Sequence, residues 1–294
     1  MRQIIAITSE KKYFLSRKCD TAQKALQKEL ILLIWTCYTS KMNTEELDKY
    51  FQNILNMDVV AAIDSSMNGF QVNQGNKKVK KVAFTVDASM ETFKRAVNWN
   101  ADVLFVHHGL FWGFPLAVKE SHYERLSFLI KNNLSLYAAH LPLDMNPIIG
   151  NNYGIAFQLK LNDLQPFGSY KGFKIGVSGV LEQEKTIDEI LNLLNTDRKE
   201  VLKILPFGKK MVSTVAIVSG GATGEISQAL DQDIDLYITG DMSHQTYHTC
   251  LEGGINMISA GHYFTETFGP RLLSEKLKKD STIETVFIDV PTGL

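Results

Sequence analysis

The sequence predicts an α/β fold made of two similar β/α lobes with largely parallel sheets, and three observations support this prediction. Apolar runs suited to buried strands alternate with segments whose apolar residues have helical spacing. Two stretches of the chain resemble each other. Histidines follow predicted strands in both stretches. Strands that alternate with helices form mainly parallel sheets, and ligand groups gather at the carboxyl ends of such strands.

The first lobe shows the alternation most clearly. A helix begins at the polar capping residues of Asn43-Thr44-Glu45-Glu46, where apolar residues recur at helical spacing. The elements predicted after it are strand 79–86, helix 90–99, strand 102–106, helix 123–132 and strand 134–139. The strand at 102–106 is apolar throughout, which is typical of a strand buried on both faces.

An internal repeat predicts the second lobe. Val82-Ala83-Phe84 aligns with Val215-Ala216-Ile217, and the alignment continues without a gap until Asp102 meets Asp235. In a later segment of each stretch, a histidine is followed four residues on by an acid, in one case His140 and Asp144 and in the other His262 and Glu266. Repetition of this pattern predicts a site at the interface between the lobes.

The predicted divisions are an N-terminal extension at 1–41, which we leave outside the fold, a first lobe at 42–162, a connector at 163–211 and a second lobe at 212–294. The connector contains a capping box, Thr186-Ile187-Asp188-Glu189, which predicts a helix over the apolar run that follows.

Composition excludes several classes of function. A net charge of −1 over 294 residues gives no general attraction for nucleic acid or an anionic membrane. The three cysteines, Cys19, Cys37 and Cys250, are scattered, which fits a reducing compartment and argues against thiolate ligands. No apolar run reaches the length of a transmembrane helix, about 18 residues. We therefore expect a cytoplasmic protein.

The central prediction is a pair of divalent metal ions, because imidazole and carboxylate groups suit zinc, iron, manganese or nickel. The candidate ligands are His107, His108, His140, Asp144, His262 and Glu266. These are more ligands than one tetrahedral ion needs. The alternative for His107-His108 is a strand end with one ring packed and one solvated, and for His140 and His262 a hydrogen-bonded core histidine. Gly109 could supply the turn that brings both adjacent histidines to one site.

Other candidates lie in the second lobe. His244 and His248 have the spacing of one helix face, so they could ligate a metal or lie on an exposed face. Gly220 and Gly221 lie between a strand and a helix, where backbone N–H groups could bind an anion of the substrate; tight packing of the helix on the strand is equally compatible. Asp241 and His244 are candidates for proton transfer.

The sequence resembles the dinuclear-metal family called GTP cyclohydrolase I type 2, or NIF-three-like, from about Met42 to the carboxyl terminus. The residues that carry the resemblance are Asn68-Gly69-Phe70-Gln71-Val72, Val106-His107-His108-Gly109-Leu110-Phe111-Trp112, His140-Leu141-Pro142-Leu143-Asp144, Ile238-Thr239-Gly240-Asp241-Met242-Ser243-His244-Gln245-Thr246, Gly261-His262-Tyr263-Phe264-Thr265-Glu266 and Phe287-Ile288-Asp289-Val290-Pro291. The resemblance implies metal ligands at His107, His108, Asp144, His262 and Glu266, with His140 at or beside the site. It also implies a homohexamer built as a trimer of dimers.

Two functions follow as hypotheses. The first is a metal-dependent hydrolase of a nucleotide or a related small molecule, because two ions can activate water and stabilise both the attacking and the leaving oxygen. The second is a non-catalytic metal-binding or scaffold protein. A coordination position open to water favours the first hypothesis, and closed ligand shells favour the second.

Overall fold

The computed structural model describes residues 42–294, so the predicted extension at 1–41 lies outside the described residues. Two sheets organise this part of the chain. The first half forms α1 (Thr44–Leu55), β1 (Gly69–Val72), β2 (Lys81–Asp87), α2 (Met90–Asn98), β3 (Val103–His108), α3 (Glu120–Lys131), β4 (Ser135–Ala138), α4 (Leu141–Met145) and α5 (Asn151–Gln158). The second half forms β5 (Leu161–Tyr170), β6 (Phe173–Lys185), α6 (Ile187–Leu193), β7 (Lys203–Pro206), β8 (Val212–Ile217), α7 (Ile226–Asp231), β9 (Leu236–Thr239), α8 (His244–Gly253), β10 (Asn256–Ser259), α9 (His262–Thr265), α10 (Phe268–Asp280) and β11 (Glu284–Phe287).

The first sheet has the strand order β1-β4-β3-β2-β11 and matches the prediction of a largely parallel sheet. Only the edge pair of β1 and β4 is antiparallel. Alternate residues of each strand point to opposite faces. Phe84 and Phe105 therefore pack with α1 and α10 on one face, while Leu104 and Val106 pack with α2 and α3 on the other. Helices on both faces explain why these strands are apolar throughout.

The second sheet differs from the prediction, because it is mixed rather than largely parallel. Its order is β5-β6-β8-β9-β10-β7, and only β8, β9 and β10 pair in parallel. The segment predicted as a connector supplies the antiparallel strands β5, β6 and β7. Many residues of the long hairpin β5–β6 are exposed, since it lies at the edge of the sheet. The predicted capping box is present at Thr186, whose side chain accepts from the Glu189 backbone N–H.

The internal repeat is visible in the strand registers. Val82 pairs with Val103 in the first sheet, and Val215 pairs with Leu236 at the corresponding place in the second. The aligned aspartates make the same contacts. Asp102 Oδ2 accepts from the backbone N–H groups of Lys80 and Lys81 at 2.7 and 2.9 Å. Asp235 Oδ2 accepts from those of Ser213 and Thr214 at 2.9 and 3.0 Å. Each aspartate therefore fastens the start of the neighbouring strand.

The chain crosses between the two sheets before and after the second one is formed. Helix α5 packs into the core of the second sheet through Ile155 and Ala156. Helix α10 returns to the first sheet, where Leu273 and Leu277 are fully buried, and β11 then pairs with β2. These crossings fix the two sheets against each other. The lobe boundaries at 162 and 211 stay a prediction. In residues 42–294, no helix has the length and apolar character to cross a bilayer.

The repeated aspartates generate the first testable prediction. Replacing Asp102 or Asp235 with alanine leaves two backbone N–H groups without their acceptor, so the free energy of unfolding should fall by about 1–3 kcal/mol in each variant. Urea unfolding measures this change. Glu252→Ala is the control, since Glu252 is an exposed residue of α8. Wild-type stability in both aspartate variants would contradict the proposed fastening of the strands.

Candidate metal centre

The candidate site lies where strands of both sheets end. Strand β3 ends in His107-His108, and β4 is followed by His140, the residue that precedes α4. In the second sheet, β10 is followed by Gly261 and then by His262, the first residue of α9. Parallel strands direct their carboxyl ends to the same edge of a sheet, and here those edges of the two sheets face each other. The structure therefore brings together the histidines that sequence patterns selected.

All four imidazole rings are held through Nδ1. The bonds run from His107 to the Ala139 carbonyl at 3.0 Å, from His108 to Asp87 at 2.9 Å, from His140 to Asp64 at 2.9 Å and from His262 to Asp241 at 3.0 Å. A carbonyl or an ionised carboxylate only accepts hydrogen bonds, so Nδ1 of each ring carries the proton. A neutral ring then presents the lone pair of Nε2, which is the form that ligates a metal.

Two buried carboxylates meet these Nε2 atoms. Glu266 Oε1 lies 3.2 Å from His262 Nε2 and 3.5 Å from His107 Nε2, and Glu266 Oε2 lies 3.1 Å from His108 Nε2. Asp144 Oδ1 lies 3.5 Å from His107 Nε2. Glu266 is 3 % exposed and Asp144 is 6 % exposed. The carboxylate of Glu266 thus touches three of the four histidines.

Three overlapping groups of side chains could each hold a metal ion. They are His107 with His108 and His140, His108 with His262 and Glu266, and His107 with Asp144 and Glu266. Within each group, one potential ligand atom per residue lies within 4.8 Å of the others. His107, His108 and Glu266 each belong to two groups. Of these shared residues, only Glu266 has two free ligand atoms, because Nδ1 of His107 and of His108 is already hydrogen-bonded.

The hydrogen-bond inventory supports a cation at this place. Within the described part of the chain, His107 Nε2 and Glu266 Oε2 are buried polar atoms without a hydrogen bond. Buried polar atoms are nearly always satisfied in native proteins, so such exceptions need an explanation. A divalent ion would give both atoms a partner, and the donor set of imidazole and carboxylate fits it.

The charges in the cluster stabilise one another. Burial alone lowers the pKa of His107, but the carboxylates of Asp144 and Glu266 outweigh it and raise that pKa to about 10. A hydrogen bond to Glu266 is the main cause that raises the pKa of His262 to about 9. Burial alone raises the pKa of Glu266, but His107 and the other histidines hold it well below its usual range. Glu266 is therefore ionised, and metal binding has to displace protons from the rings of His107 and His262.

Asp144 is oriented by residues around it. Its Oδ1 accepts from Asn151 Nδ2 at 2.8 Å and from Ser219 Oγ at 2.9 Å. Asn152, which is fully buried, donates to the Asp144 carbonyl at 3.1 Å and accepts from the Ser219 backbone N–H at 2.6 Å. Ser219 follows β8, whereas Asp144 lies in α4. This network therefore links the site residues of the two lobes.

Glycines make room for the ligands. Gly220 has a φ of +65°, and a Cβ there would lie 2.2 Å from Glu266 Oε1 and 3.2 Å from His262 Nε2. A Cβ on Gly240 would lie 2.7 Å from the His262 Cα. Gly221 lines the cleft in front of the site. The glycines of this loop thus allow close packing of Glu266; their predicted contact with a substrate anion stays a prediction.

The remaining candidates take different places. Asp241 lines the cleft and holds His262. His244 and His248 are exposed residues of α8 with ring centroids 6.5 Å apart, and neither belongs to the metal-binding groups or to the cleft lining found in residues 42–294. Trp112 lies beside the site, with its ring centroid 5.0 Å from that of His140.

Two of the carboxylates that hold the rings, Asp64 and Asp87, were not predicted from the sequence. Asp64 bonds His140 from 76 residues away, and its carboxylate also accepts from the Leu141 N–H at 3.0 Å. Burial alone raises the pKa of Asp64, yet the bond to His140 keeps it lowered. Asp87, the last residue of β2, pairs in register with His108 on β3. Asp87 could have been predicted as a partner of His108, because it ends β2, the strand next to β3. Asp64 lies in a loop, where no local sequence pattern indicates a contact with His140.

Gly220→Ala tests whether the glycine makes room for Glu266. The new Cβ would displace the Glu266 carboxylate, so we expect the Kd for Mn²⁺ to rise. The expected rise is about 10-fold or more, as when a residue that supports a metal ligand is lost. Isothermal titration calorimetry measures this constant. Gly254→Ala is the matched control, since Gly254 has a φ of +66° and nothing lies within 4 Å of its Cβ position. Equal Mn²⁺ affinity in the two variants would contradict this role.

Known proteins resemble this chain over most of its described residues. Residues 42–293 match the family model Duf34/NIF3 (NGG1p interacting factor 3). A curated relative from Archaeoglobus fulgidus, named GTP cyclohydrolase 1 type 2 homolog, is 43 % identical over 86 % of this chain and 100 % of its own length. A relative with the same name from Deinococcus radiodurans is 42 % identical over 79 % of this chain and 88 % of its own length.

A solved structure is similar in fold and sequence. The crystal structure of a Thermus thermophilus protein superposes with a TM-score of 0.78 at 36 % identity, and the match covers 86 % of this chain and all of that one. The family match spans nearly all described residues, including every predicted metal ligand. The chain therefore belongs to the Duf34/NIF3 (NGG1p interacting factor 3) family.

Proposed function

We propose that this protein binds two divalent metal ions at the interface of its two lobes and uses them to hydrolyse a nucleotide or a related small molecule. The observation that carries the proposal is the convergence of the Nε2 atoms of His107, His108 and His262 on the buried carboxylates of Glu266 and Asp144. The metal ligands in this proposal are His107, His108, His140, Asp144, His262 and Glu266. Zinc, iron, manganese and nickel all accept this mixture of ligands.

Each ligand has a distinct part in the proposal. Glu266 would help to hold both ions, since its two oxygens face different histidines. Asp144 completes the position beside His107. The carboxylates of Asp64, Asp87 and Asp241 keep the rings in the Nδ1-protonated tautomer. Asp241, which lines the cleft, can also accept a proton from a bound substrate; the exposed position of His244 adds no support for that role.

The open surroundings of the site favour the hydrolase over the non-catalytic metal-binding protein. A cleft of about 810 Å³ leads to His108, His140, Asp144, His262 and Glu266. This volume is in the range of small-molecule binding sites. Two divalent ions would supply Lewis-acid activation of water at the floor of the cleft. The relatives' name supports the same class of reaction, although it calls them only homologs.

We also propose a cytoplasmic homohexamer built as a trimer of dimers, as the family resemblance implies. Exposed apolar side chains offer surface for contacts between copies. Phe114 is 62 % exposed, Tyr123 is 56 % exposed and Ile130 is 63 % exposed, and all three lie in α3 or the loop before it.

Metal content is the direct test of the proposed function. The full-length protein, purified without chelator, should contain close to two ions per chain by plasma mass spectrometry. His108→Ala and Glu266→Gln should each lose at least half of that metal, because both residues belong to shared ligand groups. His248→Ala is the control for the competing pair on α8 and should keep both ions.

Circular dichroism establishes that each variant is folded, as this test requires. Little metal in the wild-type protein, even after reconstitution, would refute the proposal. Loss of metal only in His248→Ala would move the site to α8.

A further inference from the structure

The cleft extends well beyond the proposed metal ligands. The chemistry of its other lining residues indicates which kind of molecule it can bind. They come from both lobes and include Ile63, Trp112, Tyr170, Ile175 and Glu225. None of these residues belongs to the proposed ligand set. The chemistry of these lining residues indicates the substrate class of the proposed function, and the inference below rests on that proposed function.

The charges of the cleft oppose a polyanionic ligand. Six carboxylates line it, namely Asp64, Asp87, Asp144, Glu225, Asp241 and Glu266. Among its lining residues in the described chain, none is a lysine or an arginine. The six negative charges exceed the four positive charges that two divalent ions would bring. A triphosphate tail that extends beyond the ions would therefore meet carboxylates rather than the cations that phosphate sites usually provide.

A lysine at the rim does not change this balance. Lys171, in the turn between β5 and β6, donates from Nζ to the Ile63 carbonyl at 3.1 Å. The same Nζ lies 5.1 Å from the centroid of the Tyr170 ring. Its contacts thus connect the two sides of the cleft at its edge.

The glycine loop after β8 also disfavours an anion. A Cβ on Gly221 would lie 3.1 Å from Asp241 Oδ2, so a group that approaches this glycine meets a carboxylate. Glu225 ends the single 3-10 turn that follows, and α7 behind it has only six residues. The positive end of so short a helix next to a glutamate offers little attraction for phosphate.

The remaining walls suit a flat, uncharged ring. The indole of Trp112 is fixed because its Nε1 donates to the Gly109 carbonyl at 3.1 Å, and its ring centroid lies 6.0 Å from that of His108. Apolar side chains of Ile175 and Val218 line the cleft as well. Aromatic faces stack on planar heterocycles whatever their edge groups are. The rigid indole therefore presents a stacking surface next to the metal centre.

Glu225 adds a polar group to the lining of the cleft. Its side chain is half-buried and lines the cleft, and no hydrogen bond or ion pair to its carboxylate is found within residues 42–294. A carboxylate accepts hydrogen bonds and repels other anions. It therefore suits a ligand edge that carries N–H groups.

We propose that the cleft binds an uncharged, planar heterocycle with N–H donors, of the nucleobase or nucleoside class, in preference to a nucleoside triphosphate. Trp112 stacks on the ring, and Glu225 accepts hydrogen bonds from its N–H edge.

Guanosine, GMP and GTP test this order, since they share one base and differ in charge. Their Kd values are measured by calorimetry on the full-length, Mn²⁺-loaded protein. Guanosine should bind at least as tightly as GTP. Glu225→Ala should weaken guanosine binding about 5- to 10-fold, the effect of one hydrogen bond to a charged group, and Glu225→Lys should strengthen GTP binding. Glu252→Ala on α8 is the control and should change neither.

The outcomes separate the two proposals, because metal content is measured in the same samples after each titration. A metal-loaded protein that binds GTP more tightly than guanosine, or that binds no guanosine, overturns the inference and leaves the proposed function standing. A protein that holds no metal overturns both.

Discussion

The buried carboxylate of Glu266 is the constraint around which the site is built. A carboxylate that is 3 % exposed has lost almost all of its hydration, which costs several kcal/mol unless nearby groups replace the water. Here imidazole rings take the place of water, since the Nε2 atoms of His107, His108 and His262 lie 3.1–3.5 Å from the Glu266 oxygens. His107 and His108 end a strand of the first sheet and His262 follows a strand of the second, so the two sheets must meet in one orientation to bring these rings to one side chain. Gly220, at a φ of +65°, leaves the space that the carboxylate occupies.

The rings can satisfy Glu266 only because a further layer of acceptors holds them. Asp87, Asp64 and Asp241 each bond the Nδ1 of a histidine, and the Ala139 carbonyl does so for His107. Every Nε2 therefore faces the centre. The same arrangement would fix the lone pairs for a metal in advance, which lowers the entropy lost when the metal binds. The arrangement of the two sheets thus determines both the tautomer and the position of the four imidazole rings.

The convergence of the candidate ligands at one place was predictable from sequence because their pattern is local. His140 with Asp144 and His262 with Glu266 share a four-residue spacing after a strand, and His107-His108 end a fully apolar one. The registers of Val82 with Val103 and Val215 with Leu236 show why the repeat was readable. Asp64 was not predictable, since it reaches His140 across 76 residues of chain.

The antiparallel hairpin β5–β6 was not predicted either. Because it lies at the edge of the sheet, many of its residues are exposed, and it lacks the apolar run that is typical of a buried strand.

Anomalous diffraction from crystals of the Mn²⁺-loaded protein locates bound metal at the site. We expect two anomalous peaks about 3.5–4 Å apart, the usual separation in two-metal sites. Both peaks should lie within bonding distance of Glu266 oxygens, with the Nε2 atoms of His107 and His108 among their ligands. A single peak, a peak at His244 and His248, or no peak in fully loaded crystals would contradict this expectation.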